Sequence, residues 1–102
     1  MNDPMLAIEQ ILAILEDAPG WEKPGQLAAY SCIMILLRDL REYVESLGSI
    51  DIGYAVEKIV EAEWHVGAMF GLDVDNGKPV TQHHVWALGS LQTLSNVLQQ
   101  AH

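Results

Sequence analysis

The chain has 102 residues, half of them apolar, which is one domain's worth of core-building material. Lys and Arg number 5 against 14 Asp and Glu, a formal net charge of −9. That balance opposes direct nucleic-acid binding, since phosphate contacts need clustered cations, and docking on anionic lipid, but suits a positively charged protein partner.

The first periodic segment spans residues 4–17. Asp3 can cap it, and Pro4 suits the first helical position, where a missing N–H costs nothing. Ile8, Ile11, Leu12 and Leu15 form one apolar stripe at helical spacing, and Glu9, Gln10, Glu16 and Asp17 lie mostly away from it. The stretch Ala-Pro-Gly-Trp-Glu-Lys-Pro-Gly, residues 18–25, then breaks the pattern with two Pro and two Gly. Trp21 within it is expected to pack over the bundle end.

A second helix is predicted over residues 26–47, stopped by Gly48. Ala29, Ile33, Leu36, Leu40, Tyr43 and Leu47 make its stripe. The opposite side is charged beyond Arg38, with Asp39, Arg41, Glu42 and Glu45, but carries Leu27, Met34 and Ile35 before it. The first half is thus apolar nearly all round and needs cover on both sides.

The third helix is predicted over 52–70, with Ser49 or Asp51 as cap and Gly71 as stop. Ile52, Ala55, Ile59, Ala62, Val66 and Met69 face inward, and Tyr54, Glu57, Lys58, Glu61 and His65 face solvent. Residues 73–78, with an Asn-Gly pair, form the turn. A fourth helix over 80–100 is opened by Pro79. Val80, Ala87, Leu91, Leu94, Leu98 and Ala101 line one face. After Lys78 no Asp, Glu, Lys or Arg follows; the other face is built from Gln82, His83, Gln92, Thr93, Asn96, Gln99 and Gln100.

No segment has a period of two. The expectation is an all-α, antiparallel up-and-down bundle of four helices in a single domain, 1–102. The alternative is a three-helix core with a loosely packed first helix. The longest nearly apolar run, Leu27 to Leu37, is about half a membrane span. Cys32 is the only cysteine, so no internal disulfide forms. The start Met-Asn-Asp-Pro lacks the basic residues of a signal peptide. Together these predict a cytoplasmic protein that does not enter membranes.

An uncharged outer face on a helix needs a cause. Gln, Asn and Thr tolerate partial burial because they need partners rather than charge neutralisation, and interface cores are depleted of charge. With the apolar side of the second helix, this predicts a homodimer. The candidate interface comprises Leu27, Met34, Ile35, Trp64, Trp86, Gln92, Asn96 and Gln99. The plainer alternative is that the fourth helix is simply the most enclosed one of a monomer.

Two titratable residues fall where core is expected. At about 100° per residue, Glu63 projects into the arc of Ile52, Val56, Ile59 and Phe70, and His84 falls among Val80, Ala87, Leu88 and Leu91. A buried Glu63–His84 pair is the candidate. It either satisfies itself, reaches solvent at an edge, or forms a site, as a metal ligand set or a general base facing a pocket.

Other chemistry is thin. Glu61 and His65 share a helix face, but the Glu-x-x-His spacing of bundle metal sites is missing, His83 and His84 point to different sides, and His102 is terminal. No metal and no cofactor are predicted. Cys32, in an apolar stretch without a neighbouring cation, reads as an inert core or interface thiol. No phosphate loop, Cys-x-x-Cys or nucleophile motif is present.

The function expected is therefore a small acidic, non-enzymatic protein-interaction or regulatory module acting through a helical surface as a homodimer. A second possibility is an acidic mimic that inhibits a nucleic-acid-binding protein, with carboxylates at Glu16, Asp17 and Glu22, at Asp39, Glu42 and Glu45, at Glu57 and Glu61, and at Asp73 and Asp75. A third is a ligand-binding or catalytic bundle using Glu63 and His84, which requires a pocket of about 300 Å³ or more. His83 and His84 fall in the first turns of the last helix, where the dipole disfavours cations, so stability is expected to be lower near pH 5 than near pH 7.

Overall fold

The computed structural model describes residues 3–48, 51–72 and 78–100. Four helices and one 3₁₀ turn account for nearly all of them: α1 (Pro4–Asp17), the turn Ala18–Gly20, α2 (Lys23–Ser46), α3 (Ile52–Met69) and α4 (Val80–Gln100). No strand occurs among the described residues, and no helix is long and apolar enough to cross a membrane.

The helix starts follow from side-chain chemistry. Asp3 Oδ1 accepts the Leu6 N–H at 3.0 Å, and Pro4 opens α1. Asp51 Oδ1 accepts the Tyr54 N–H at 3.0 Å, which assigns the α3 cap to Asp51; Ser49 lies outside the described residues. Helix α2 begins three residues earlier than its stripe predicts. Pro24 sits in the first turn, where its ring fits, and the Gln26 amide donates back to the carbonyls of Ala18 and Pro19 at 3.4 and 3.2 Å. Trp21 packs over Gly25, where an added Cβ would make an ordinary van der Waals contact with Trp21 Cβ at 3.5 Å. A segment rich in Pro and Gly is thus mostly turn and helix start rather than a loop.

The end of α3 closes in a Schellman arrangement. Leu72 N–H reaches the Gly67 carbonyl at 2.8 Å, Gly71 N–H reaches Ala68 at 3.1 Å, and Gly71 takes φ +74°. Lys23 Nζ donates to the Phe70 carbonyl at 2.7 Å, so the start of α2 meets the end of α3 and the two run antiparallel. In the α3–α4 hairpin, Glu61 meets Ser90 and His65 meets His83; the α4 number falls as the α3 number rises, so this pair is antiparallel too.

The core is one cluster drawn from all four helices. Helix α3 packs most extensively on α4 and next on α2, while α1 packs on both α2 and α4. Ile8, Ile11 and Leu15 of α1 are buried with Ile33, Leu37, Leu40, Ile59, Leu91 and Leu94. The first helix is therefore a full member of the bundle, and the three-helix alternative falls. On α2 the buried line is Ala29, Ile33, Leu37, Leu40 and Val44, with Leu36, Tyr43 and Leu47 half-buried beside it. On α4 the expected member Val80 is 51% exposed, and Ala101 lies outside the described residues. Trp21 is largely exposed rather than closing the bundle end.

Candidate functional site

The seam between α3 and α4 opens outward into a groove of about 620 Å³, lined by Lys58, Glu61, Trp64 and His65 on one wall and Val85, Trp86, Gly89, Ser90 and Thr93 on the other. Helical spacing explains the first wall: 58, 61 and 65 recur every three or four residues and share one flank of α3. These residues were expected to face open solvent; the flank instead faces α4, and Lys58, Glu61 and His65 are half-buried. On the α4 wall, a Cβ at Gly89 would meet nothing within 4 Å.

Four aromatic rings stack along the seam. Trp64 lies 4.7 Å from His65 and edge-on to His83 at 5.4 Å. Trp86 lies 5.2 Å from His65 and edge-on to His83 at 5.7 Å. The histidines themselves touch, Nδ1 to Nδ1, at 3.1 Å. His65 is half-buried at the groove, whereas His83 is fully buried behind it. Burial pushes the His65 pKa below the ordinary 6.5, and His83 pushes the same way; Glu61 works weakly against both. His65 is thus neutral near pH 7.

Glu61 is engaged from both helices. Its carboxylate receives Lys58 Nζ at 3.2 Å and the Ser90 hydroxyl at 3.2 Å. That hydrogen bond to Glu61 raises the Lys58 pKa, and the Lys58 ammonium also lies 5.1 Å from the Tyr54 ring centroid.

The candidate pair Glu63–His84 does not form: no hydrogen bond or ion pair joins the two among the described residues, and His84 Nε2 is buried without a hydrogen-bond partner. The reason is rotational. Glu63 precedes His65 by two residues, so it leaves α3 roughly 200° away from the α4-facing flank. The inward line of α4 runs His83, Ala87, Ser90, Leu91, Leu94, not through Val80 and His84. A signal for this was present in the sequence: His83, Ala87, Ser90 and Leu94 are spaced 4-3-4, and the polar side chains of His83 and Ser90 disguise the stripe.

The candidate interface residues divide into three groups. Trp64 and Trp86 line the groove, one from α3 and one from α4. Leu27 and Ile35 stand exposed on α2 while Met34 packs half-buried against the core. Gln92, Asn96 and Gln99 are exposed on α4. Cys32 is exposed rather than buried. Among the described residues no three His, Cys, Asp or Glu side chains converge as metal ligands would. Asp73, Asp75 and His102 lie outside the described residues. Comparison of the chain with protein families, curated proteins and solved structures finds no match.

Proposed function

We propose that this chain is a cytoplasmic, non-enzymatic protein-interaction module whose working surface is the groove between α3 and α4. The observation that carries this reading is the placement of Trp64 and Trp86 on opposite walls of one open groove. Half-buried tryptophans flanking a concave surface offer large, rigid contact area at low entropic cost and dominate the energetics of many interfaces. The occupant is a segment of a positively charged protein. The net charge of −9 steers such a partner in, and the indole faces suit the aliphatic stem and charged head of Lys or Arg.

Val85, 60% exposed at the lip of the groove, provides the test. A photo-cross-linking side chain at position 85, introduced in cells, is expected to capture a defined protein, and Trp86→Ala is expected to reduce that capture by about tenfold or more, the loss typical of a central interface aromatic. Equal capture with and without Trp86, at unchanged helix content, would refute the groove as the working surface.

The homodimer has its own observation. Residues 24–37 contain no charged side chain, yet Leu27 and Ile35 within them are 42% and 51% exposed. An uncharged, partly apolar helix face suits a second copy of the same chain. Sedimentation at micromolar concentration is expected to give twice 11.3 kDa, and Ile35→Glu to return the protein to monomer. A wild-type monomer at that concentration removes the dimer.

A further inference from the structure

We infer that Glu61 anchors one arginine side chain of the partner in the groove, and that Lys58 is an internal stand-in for that cation, which the guanidinium displaces. This rests on the groove being the working surface, and it names the chemistry that the surface selects.

Glu61 lies at the middle of the seam, level with Ser90, whose buried hydroxyl donates to Glu61 Oε2 at 3.2 Å. Lys58 Nζ donates to Oε1 at 3.4 Å and to Oε2 at 3.2 Å. Those distances are long beside the roughly 2.7–2.9 Å of a well-made ammonium–carboxylate bond. A carboxylate offers about four acceptor positions, so Oε1 can take a closer donor. The Glu61 side chain is 37% exposed, which leaves it within reach of an occupant of the groove.

The Lys58 contact is also easy to give up. A Lys–Glu pair three residues apart on a partly exposed flank holds by a severalfold preference at most. Released from Glu61, Lys58 keeps the Tyr54 ring, 5.1 Å from its ammonium, and the attraction of Glu57. Among the described residues, Lys58 and Glu61 are the only full charges lining the groove near neutral pH. Moving Lys58 aside therefore leaves a carboxylate that needs a cation, and the net charge of −9 favours a cationic occupant over an anionic one.

The walls fit the rest of an arginine. Trp64 follows Glu61 by three residues and Trp86 precedes Ser90 by four. Because α3 and α4 are antiparallel, both indoles lie on the same side of the carboxylate, about 4.5 and 6 Å along the seam at about 1.5 Å per residue. An arginine stem spans that length, so it can lie against the indoles while its planar guanidinium reaches Glu61. Gly89 keeps the α4 side open: an added Cβ would meet nothing within 4 Å, although glycine is a poor helix former that a helix interior otherwise avoids.

The test titrates the full chain with acetyl-Gly-Arg-Gly-amide and, at the same ionic strength, with the norleucine analogue, which keeps a stem but no charge. The indole N–H resonances of Trp64 and Trp86 report occupancy. Saturable shifts are expected with the arginine peptide and not with the norleucine one. Glu61→Gln, whose amide oxygen can still accept from Ser90, is expected to weaken binding about tenfold or more. Lys58→Met is expected to tighten it by roughly two- to fivefold, each variant at unchanged helix content by circular dichroism. Equal binding of the two peptides, no saturable shift with the arginine peptide, or unchanged affinity in Glu61→Gln overturns the anchor. Unchanged or weaker binding in Lys58→Met overturns the stand-in. Trp86-dependent capture at position 85 that survives Glu61→Gln undiminished would overturn the anchor and leave the groove as the working surface. Capture independent of Trp86, with the arginine peptide still bound through Glu61, would remove the groove function and keep the cation site.

Discussion

Ile11→Ala is expected to destabilise the protein by about 2–5 kcal/mol, the range for truncating a fully buried aliphatic side chain, and to do so in a single cooperative transition. Ile11 is 0% exposed in the middle of α1. Its neighbours on that face, Ile8 and Leu15, are buried in the same cluster as residues of α2, α3 and α4. Removing three carbons there loses their transfer free energy and leaves a cavity that three other helices border and cannot all relax into. In a domain of this size a loss of 1 kcal/mol lowers Tm by about 4–8 °C, so the shift is expected to exceed roughly 10 °C. Since small domains hold about 5–15 kcal/mol in total, much of the stability rides on this one side chain. A loss under about 1 kcal/mol, or a separate early transition for α1, would mean that the first helix is an appendage and that the core is a three-helix one.

The four-helix core and its groove are only half legible in the sequence. Existence and type of each helix follow from spacing alone, because burial on one side imposes the 3.6-residue period on Ile8, Ile11 and Leu15 or on Ala55, Ile59 and Ala62. Which flank of a helix faces which neighbour does not follow, because one residue changes the direction by about 100°. The site lies on such a flank. Lys58, Glu61 and His65 read as a solvated face since all three are polar, and only the antiparallel placement of α4 converts that face into a groove wall. Ser90 and His83 misled in the opposite way. A line containing them does not look apolar, yet both are buried, because the Ser90 hydroxyl is satisfied by Glu61 and His83 by its contact with His65. The alignment of His84 with Val80 points inward in the sequence, whereas Val80 is exposed at the first turn of α4. The α2 boundary was missed for a local reason: Pro and Gly signal a break wherever they occur, but Pro in a first turn starts a helix as readily as it ends one.

Stability is expected to fall by several degrees in Tm from pH 7 to pH 5. His65 binds its proton less readily in the folded chain than in the unfolded one, because burial and the facing His83 ring both disfavour the imidazolium. A base whose folded pKa is depressed leaves the native state fully stable above the unfolded value, near 6.5. Below that pH the unfolded chain takes up more protons than the folded one, and stability declines until the folded site itself protonates, after which the loss levels off. Two terms oppose or are silent. The raised Lys58 pKa stabilises the fold across the whole interval and so contributes no slope between pH 5 and 7. Lower pH also relieves the self-repulsion of a chain carrying a net charge of −9. That relief is between largely exposed groups and is screened within about 8 Å at physiological ionic strength, whereas two imidazoles in contact at 3.1 Å gain no such screening. The short-range term therefore decides the sign at 0.15 M salt. Thermal melts followed by circular dichroism at the two pH values should show the drop in wild type and most of it removed in His65→Gln; equal wild-type melting temperatures would mean that the buried imidazole pair accommodates its protons without cost to the fold.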